Sequence, residues 1–336
     1  MKQRLLTAQT RAALGAMAVV LASLALTAQA QAPDSDWKPA LTLDGQPDLQ
    51  GIWSNAVITP LERPAELADQ AFLSEQDALE YEQRRRDERN MDRRDKDAES
   101  DIQGAYNDFW WDWGDNIAAT RRTSLVVDPP DGRIPPLTEE GQRRSDARAE
   151  RRRLHPADGP EDRSTADRCL NWVSAGPPMV PTAYNNNFHL VQTADHVLIL
   201  NEMIHDARII PLDGRPNLPG EVRQWLGSSR GRWDGDTLVV ETRNFGDQTN
   251  FRGASENMHL TERFTRVAED ILLYEFTVDD PDAFTEPWTV QIPSRKADGI
   301  MYEYACHEGN QSMIGILAGA RAEEQAAAEA VGQPSN

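Results

Sequence analysis

The sequence predicts a mainly β protein: an antiparallel barrel or sandwich of about nine strands, lipocalin-like, with helices at its periphery. Two observations lead to this fold class. Between residues 188 and 306, runs of β-branched and aromatic residues are joined by short connections that contain Gly or Asp, the pattern of antiparallel hairpins. Polar residues interrupt the faces of these runs that should be apolar, which indicates a wet interior built to hold a small molecule.

Four hairpins account for eight of the nine predicted strands. In each hairpin, two runs flank a connection of two or three residues, and residues 207–211 supply the ninth strand, a number within the range of closed barrels. Short apolar islands at 49–54 and 123–127 predict two more strands outside this series. The paired runs are 188–193 with 196–202, 230–233 with 237–242, 259–267 with 271–278, and 288–296 with 300–306.

Residues 1–32 have the composition of a cleaved export signal. Three cations come first, an apolar run follows at 16–26, and small residues precede a cleavage site near Ala30-Gln31 or Ala32. The apolar run is too short for a spanning helix, and no later segment contains the roughly 20 apolar residues that a membrane span needs. We therefore expect a periplasmic or secreted protein with no membrane span.

The rest of the chain divides into three parts. Residues 33–165 predict an extended arm and charged helices that pack on the barrel, residues 166–311 form the barrel core, and residues 312–336 form a C-terminal helix and tail. Within the first part, Ser74 and Thr138 each precede an acidic turn, which predicts the N-caps of two helices.

The charge of the chain restricts its partners. The formal net charge is −20, and loss of the three cations in the export signal changes it to −23. The electrostatic field of so negative a protein repels nucleic acid and anionic lipid. The acidity fits either a cationic substrate or ordinary solubility, and the second interpretation is favoured. A small organic ligand is the expected partner, and the sequence identifies no protein partner.

Cys169 and Cys306 are the only cysteines. In an oxidising compartment an even pair predicts a disulfide, and bridging positions so far apart would constrain a long loop. A free thiol nucleophile and a metal ligand beside His307 are the weaker alternatives, because exposed thiols oxidise outside the cytoplasm.

An aromatic cluster lies at residues 106–115. Trp110, Trp111 and Trp113 occur there within four positions. Aromatic faces stack on flat ligands, on sugars or on one another. A plug that closes one end of the barrel is favoured slightly over a ligand platform, and these tryptophans are retained as substrate-binding candidates. Asn187, at the end of a run of three asparagines that tolerate left-handed backbone, is another candidate.

Glu262 is the first catalytic candidate. The two-residue period of a strand places it on the same face as Leu260 and Phe264. If that face is internal, burial should raise the pKa of the carboxyl, as a general acid or base requires. A buried salt bridge to an arginine on a neighbouring strand is an equally good interpretation.

The segment from Asn201 to Arg208 places several polar groups at the end of an apolar strand. Strand ends at a barrel mouth commonly carry ligand contacts. His205 is a candidate for proton transfer, while Asn201 and Arg208 are candidates for orienting the substrate, Arg208 through a bidentate carboxylate pair. The alternative pairs Arg208 with Asp206 or Asp213 and His205 with a backbone carbonyl.

His307 follows Cys306, and a disulfide would fix its imidazole at the rim of the barrel. His307 is therefore the third catalytic candidate. His205, His259 and His307 with a carboxylate would resemble a zinc or iron set, but their spacing lacks the short separations of strong metal motifs. We accordingly expect no metal and no other cofactor.

Several enzyme classes lack support in the sequence. The Gly-x-Ser-x-Gly pattern at 227–231 leads into a predicted strand and not into a helix, which argues against a nucleophile elbow. The chain has no P-loop and no dinucleotide fingerprint. Three other stretches, at 201–216, 231–242 and 302–310, resemble those of a large family of exported bacterial proteins to which no activity is attached. The resemblance implies export and a β-rich body, and it transfers no catalytic residue.

The leading hypothesis is a periplasmic enzyme that performs cofactor-independent acid–base chemistry, as a lyase, isomerase or hydrolase, in a barrel cavity. Glu262 or His205 would move the proton. The competing hypothesis is a lipocalin-like carrier that holds a ligand without changing it. A third hypothesis, supported only by the charged helices and the acidic surface, is a structural or interaction protein of the cell envelope.

Overall fold

The computed structural model describes residues 37–90, 92, 111–248 and 251–332. The predicted export signal lies outside these residues. No helix within the described ranges is long and apolar enough to cross a membrane. Three helices are formed there, Glu75–Arg89 (α1), Glu139–Leu154 (α2) and Gln311–Gly332 (α3). The strands are Gly51–Ser54 (β1), Val126–Asp128 (β2), Asn187–Gln192 (β3), His196–Asn201 (β4), Ala207–Pro211 (β5), Ser228–Asp234 (β6), Thr237–Arg243 (β7), His259–Ala268 (β8), Ile271–Asp279 (β9) and Trp288–Lys296 (β10).

Nine of these strands form one nearly closed antiparallel barrel, as the sequence predicted. Their order is β5, β4, β3, β1, β10, β9, β8, β7, β6, and β2 pairs with β10 beside this path. Three of the four predicted hairpins are present with tight connections, namely β3 with β4, β6 with β7 and β8 with β9. The predicted helices lie outside the sheet, at the periphery of the barrel.

The fourth predicted hairpin was wrong. Residues 300–306 form no strand and lie outside the sheet. The reason is that the free edge of β10 is already occupied: β1 pairs with its end at Arg295 and Lys296, and β2 pairs with its start at Thr289 and Val290. With both ends of that edge occupied, residues 300–306 cannot pair along β10 as the second strand of a hairpin.

β1 also corrects the predicted domain boundary at residue 166. It comes from the predicted extended arm, yet it lies in the wall of the barrel between β3 and β10. Trp53 on β1 is fully buried, and its indole Nε1 donates to the Leu49 carbonyl at 2.9 Å. A local apolar pattern predicts that a strand forms, but it does not indicate which strands lie beside it.

The middle of the barrel is filled with side chains. Large rings occupy it, and the Phe264 and Tyr274 rings stack at 4.9 Å between centroids. These rings pack against one another and against the aliphatic side chains of one continuous hydrophobic core. The wet interior that the sequence indicated is therefore replaced by this aromatic cluster. The largest members, each at most 1% exposed, are Trp53, Phe188, Phe245, Phe264, Tyr274, Phe276 and Trp288.

The barrel has a seam, which we define as the junction between β5 and β6. Neighbouring strands alternate in direction around the wall, and with nine strands the first and the last must run parallel where they meet. No hydrogen-bonded ladder joins β5 to β6, both of which are described in full. At one end, Gly231 lets β6 approach closely, since a Cβ there would lie 2.6 Å from Leu212 Cδ2 and 3.0 Å from Ile210 Cγ2.

The N-caps of both predicted helices are confirmed. Ser74 Oγ accepts the backbone N–H of Asp77 at the start of α1, and Thr138 Oγ1 accepts that of Gly141 at the start of α2. Both caps satisfy a backbone donor that has no partner within the helix. Gly141 also lets α2 pack closely, because a Cβ there would lie 2.5 Å from the Ala283 carbonyl oxygen.

The predicted disulfide between Cys169 and Cys306 is present, with 5.7 Å between the Cα atoms. It ties the segment that precedes α3 to the segment that precedes the barrel. Asn310 reinforces the connection, because its Nδ2 donates to the Asp167 carbonyl at 2.9 Å. Such a bridge fits an extracytoplasmic protein.

Candidate functional site

Glu262 faces the barrel interior, as the strand period predicted, and it is fully buried. Its carboxylate forms a bidentate ion pair with Arg208 of β5. Arg208 Nη1 donates to Oε1 at 3.1 Å, and Nη2 donates to Oε2 at 2.6 Å. The geometry matches the fork of the guanidinium to both carboxylate oxygens. Of the two interpretations offered by the sequence, the structure contains the buried salt bridge.

Tyr274 completes this buried cluster. Its hydroxyl donates to Glu262 Oε1 at 2.9 Å and accepts the backbone N–H of Met179 at 3.0 Å. Burial, followed by the nearby Glu262 charge, raises the pKa of Tyr274 well above 10.0. Both oxygens of Glu262 are therefore engaged by donors that stay protonated, and the carboxylate is held as a structural counter-ion.

The Arg208 guanidinium likewise stays protonated. Burial alone would lower the pKa of Arg208, but the charge and hydrogen bonds of Glu262 outweigh it, and the net pKa is raised. The predicted bidentate pair is thus formed, with Glu262 as the carboxylate in place of a ligand. Arg208 nevertheless lines a pocket at the seam, together with Asp206.

The connection between β4 and β5 carries unusual backbone. Ile204 adopts φ +64° and ψ 3°, and His205 adopts φ +45°. Left-handed conformations in non-glycine residues cost on the order of 1–3 kcal/mol each, and a β-branched residue such as Ile204 adopts them rarely. Such strain persists only where surrounding contacts impose it, and it concentrates at functional sites.

Contacts on both sides hold this strained connection. Ile204 packs in a small cluster that includes Ala175, Met203 and Tyr304. His205 Nδ1 lies 3.1 Å from the Tyr304 carbonyl oxygen, which can only accept, so Nδ1 carries the proton in the neutral ring. Nε2 is then the acceptor nitrogen of His205. His205 does not line the seam pocket, but it directly precedes a residue that does.

Glu202 begins the same connection and is buried. Asn187 Nδ2 donates to Glu202 Oε2 at 2.9 Å, and the Glu202 N–H donates to the Asn187 carbonyl at 3.0 Å. Burial is the main cause that raises the pKa of Glu202, and the hydrogen bonds from Asn187 oppose it. Asn187 therefore positions Glu202 in the structure, whereas the sequence placed it among the ligand contacts.

Asp206 ends the connection and lines the seam pocket. Its Oδ2 is buried and accepts no hydrogen bond within the described chain. Burial raises the pKa of Asp206, against the opposing effects of Arg208, the Ala207 N–H and His205. A partly buried carboxyl with a raised pKa and an unused acceptor is the chemistry that a general acid or base requires.

The seam pocket has a volume of about 530 Å³, large enough for a small organic molecule. It lies along the seam, with β5 on one side and β6 on the other. Its walls come from Leu170, from residues within 206–211 and from residues within 218–230. Apolar side chains supply much of the lining, and a few polar groups lie among them, as in ordinary ligand sites.

The remaining predicted residues lie apart from this pocket. Asn201 is buried, and its Nδ2 donates to the Ala175 carbonyl at 2.7 Å. His307 is exposed in the turn after Cys306. His259 Nε2 lies 3.6 Å from Glu241 Oε2. These three side chains form no hydrogen bond or ion pair with Glu262 or Arg208 in the described part of the chain, so the predicted convergence is limited to the Glu262–Arg208 pair.

The described tryptophans form a separate aromatic cluster. The rings of Trp111 and Trp113 stack at 5.4 Å between centroids, and the Arg89 guanidinium lies 4.6 Å from the Trp113 centroid. Trp113 packs against a small core between α1 and the residues around Ile58. Trp110 lies outside the described residues. This arrangement suits a packing role, and the predicted role in ligand binding stays a prediction.

Within the described ranges, no group of three His, Cys, Asp or Glu side chains is placed to share a metal ion. The expectation that the protein works without a metal or other cofactor stays a prediction. No family model matches the sequence, and no curated protein and no solved structure is significantly similar to it. The site must therefore be interpreted from its own geometry.

Sequence reasoning missed Asp206 as a site residue in its own right. It considered Asp206 only as a partner of Arg208, although the residue stands inside the singled-out segment 201–208. The two-residue strand period could have distinguished Asp206 from Arg208, because Glu262 and Arg208 both point inward and can satisfy each other across the barrel. Arg230, which also lines the pocket, gave no signal beyond its position in a hairpin.

Proposed function

We propose that this protein is an enzyme that performs cofactor-independent acid–base chemistry on a small, partly apolar molecule bound in the seam pocket. Asp206 is the proton-transfer group: its carboxylate accepts a proton from the bound molecule, or in hydrolysis from the water that attacks it, and returns the proton to another atom of the same molecule or to the leaving group. The reaction class is elimination, isomerisation or hydrolysis. Water-poor surroundings strengthen the electrostatic interactions of such a group.

One observation carries the proposal. Asp206 lies in the wall of a pocket of about 530 Å³ with one buried oxygen that accepts no hydrogen bond from the described chain. Glu262 is a poorer candidate, because Arg208 and Tyr274 already engage both of its oxygens. The strained backbone at Ile204 and His205, immediately before Asp206, supports the same location.

Export is part of the proposal. The composition of residues 1–32 supports a signal peptide that delivers the chain to the periplasm or beyond. The disulfide between Cys169 and Cys306 agrees with an oxidising compartment. The high negative charge supports a small molecule over nucleic acid as the partner.

The proposal is tested by a two-stage experiment. A thermal-shift screen of phenolics, steroids, sugars and amino-acid derivatives first finds molecules that raise the melting temperature, since a ligand of the native state stabilises it. Each such molecule is then incubated with the protein in D₂O, and deuterium incorporation or product formation is followed by NMR and mass spectrometry.

The variant Asp206→Asn should abolish this turnover, and Asp213→Asn should leave it unchanged. Asp213 is a suitable control because it is exposed and paired with Arg215, at the other end of β5 and outside the pocket lining. Equal turnover by Asp206→Asn and the unmodified protein would remove Asp206 from the mechanism.

A carrier is the second candidate function, and one observation favours it. Two polar groups of the pocket wall are already engaged within the protein: Arg208 pairs with Glu262, and Ser229 Oγ lies 2.9 Å from Thr242 Oγ1. Side chains engaged in this way take no part in proton transfer, which suits retention of a ligand. Ligands that raise the melting temperature but are recovered unchanged, with no deuterium incorporated, would support the carrier.

A further inference from the structure

The seam pocket contains a second charged group that the proposed chemistry does not use. Arg230 lies on β6, across the seam from β5, and lines the same pocket as Asp206. Its guanidinium is held by three neutral acceptors. Nε donates to the Pro216 carbonyl at 3.0 Å, and Nη1 donates to Ser228 Oγ at 3.2 Å and to the Ser229 carbonyl at 2.7 Å.

These hydrogen bonds fix the side chain without neutralising it. No described carboxylate lies within 4.0 Å of the Arg230 guanidinium, whereas Arg232, two residues further along β6, pairs with Glu241 at 2.7 Å. Nη2 of Arg230 donates to no described protein atom. The result is a pre-oriented cation with a free donor edge, the arrangement that binds carboxylates with the least loss of side-chain entropy.

Asp206 and Arg230 lie at different heights along the seam. Gly231 faces Ile210 and Leu212, so Arg230, one residue earlier on a parallel strand, stands near the level of residue 210. Asp206 precedes that level by four residues, which is about 13 Å in extended chain. Apolar side chains line the pocket as well, among them Leu218, Trp225 and Leu226.

We propose that the substrate is a small organic monocarboxylate, with its carboxylate on Arg230 and its apolar body along the seam, so that its proton-bearing end reaches Asp206. This inference rests on the proposed function for the role of Asp206. The negative charge of the whole molecule does not forbid an anionic substrate, because at physiological ionic strength exposed charges are screened beyond about 8 Å. The local cation of Arg230 then dominates binding.

Three probes of matched shape test this inference: 3-(4-hydroxyphenyl)propanoate, its amide and the corresponding amine. Each has a phenol at one end, an aromatic ring in the middle, and a different charge at the other end. Dissociation constants are measured by isothermal titration calorimetry on the full-length protein and on the variants Arg230→Gln and Arg232→Gln. Arg232 is the matched control, since it lies on the same strand and outside the pocket lining.

The carboxylate should bind at least about tenfold more tightly than the amide, because a hydrogen bond between a guanidinium and a carboxylate is stronger than one between a guanidinium and a neutral amide. Arg230→Gln should reduce this ratio to near one, and Arg232→Gln should leave it unchanged. A ratio near one in the unmodified protein, tighter binding of the amine, or a ratio that survives Arg230→Gln would each overturn the inference.

The same measurements separate this inference from the proposed function. If Asp206→Asn abolishes turnover while Arg230→Gln leaves the preference unchanged, the acid–base proposal stands and the carboxylate subsite does not. If Arg230→Gln removes the preference while Asp206→Asn leaves turnover unchanged, the subsite stands and the acid–base role fails. Circular dichroism of each variant checks that loss of binding does not come from unfolding.

Discussion

Among single residues, the charged groups in and beside the barrel are of two kinds. Glu262 and Arg208 satisfy each other inside the barrel, while Asp206 at the seam keeps an unused oxygen. The first arrangement maintains the fold, and the second is available for a ligand. Sequence patterns placed Glu262 and Arg208 in the predicted site and left Asp206 out of it, because they indicate which face a residue occupies but do not identify its partner.

Removing one member of the buried pair should be costly. Glu262→Gln leaves the Arg208 guanidinium buried without a counter-ion, and we expect a loss of about 3–5 kcal/mol in the free energy of unfolding, measured by urea denaturation. The double variant Glu262→Gln with Arg208→Met removes both charges and should recover part of that loss. A single variant as stable as the unmodified protein would show that the pair does not hold the barrel.

The raised pKa of Asp206 predicts a pH dependence of stability. A carboxyl with a raised folded-state pKa contributes stability that is fully present below its ordinary value of 3.8 and lost as pH rises through the raised value. Asp206→Asn removes this loss, so the variant should gain stability relative to the unmodified protein between about pH 4 and pH 7. The measurement is the free energy of unfolding of both proteins at several pH values. A constant difference would contradict the burial of this carboxyl.

At the scale of elements, close packing decides how the helices attach to the barrel. Gly141 brings the first turn of α2 against Ala283, and both lie near the start of β10. In contrast, Gly319 of α3 has open space around its Cα. Glycine is therefore required for close packing at position 141 of α2, and it has no such role at position 319 of α3.

Alanine substitutions should reveal this difference. Gly141→Ala places a Cβ 2.5 Å from a backbone oxygen, and we expect destabilisation of about 1–3 kcal/mol in spite of the better helix propensity of alanine. Gly319→Ala should stabilise by up to about 1 kcal/mol for that propensity alone. Melting temperatures of the two variants provide the measurement. Stabilisation by Gly141→Ala would show that α2 does not pack as described.

The disulfide holds the segment that precedes α3 against the rest of the molecule, and Arg321 of α3 also donates to the Asp158 and Ala157 carbonyls. Cys169 and Cys306 are 137 positions apart, and in the chain-entropy model a loop of that length stabilises by about 5 kcal/mol. The double variant Cys169→Ser with Cys306→Ser should lose stability of this order and exchange its α3 amide hydrogens faster. An unfolding midpoint that is the same with and without reductant would contradict the expected contribution.

At the scale of the whole molecule, much of the fold follows from local pattern. The two-residue period and the short Gly and Asp connections predicted three hairpins, β5 and the mainly β class, while Ser74 and Thr138 marked two helix starts. The position of β1 within the barrel and the absence of a strand at residues 300–306 could not be predicted in this way. Both depend on which strand pairs with the second edge of β10. That pairing is decided between segments far apart in the chain, and local sequence patterns do not indicate it.

The candidate site was predicted less completely. The polar segment 201–208 was correctly placed at a strand end, where it meets the seam pocket. The pocket itself arises because nine alternating strands bring β5 and β6 together in parallel and without a ladder. That property belongs to the closed sheet as a whole, so neither Asp206 nor Arg230 could be assigned to a shared pocket from the sequence.

The central claim is that the protein binds its small molecule at the seam and not inside the barrel. A crystal structure of the protein with the tightest-binding molecule from the thermal-shift screen tests this claim most directly. We expect ligand density between β5 and β6, with one polar group of the ligand within hydrogen-bonding distance of the Asp206 carboxylate. Density among the core rings around Tyr274, or beside Trp111 and Trp113, would contradict it.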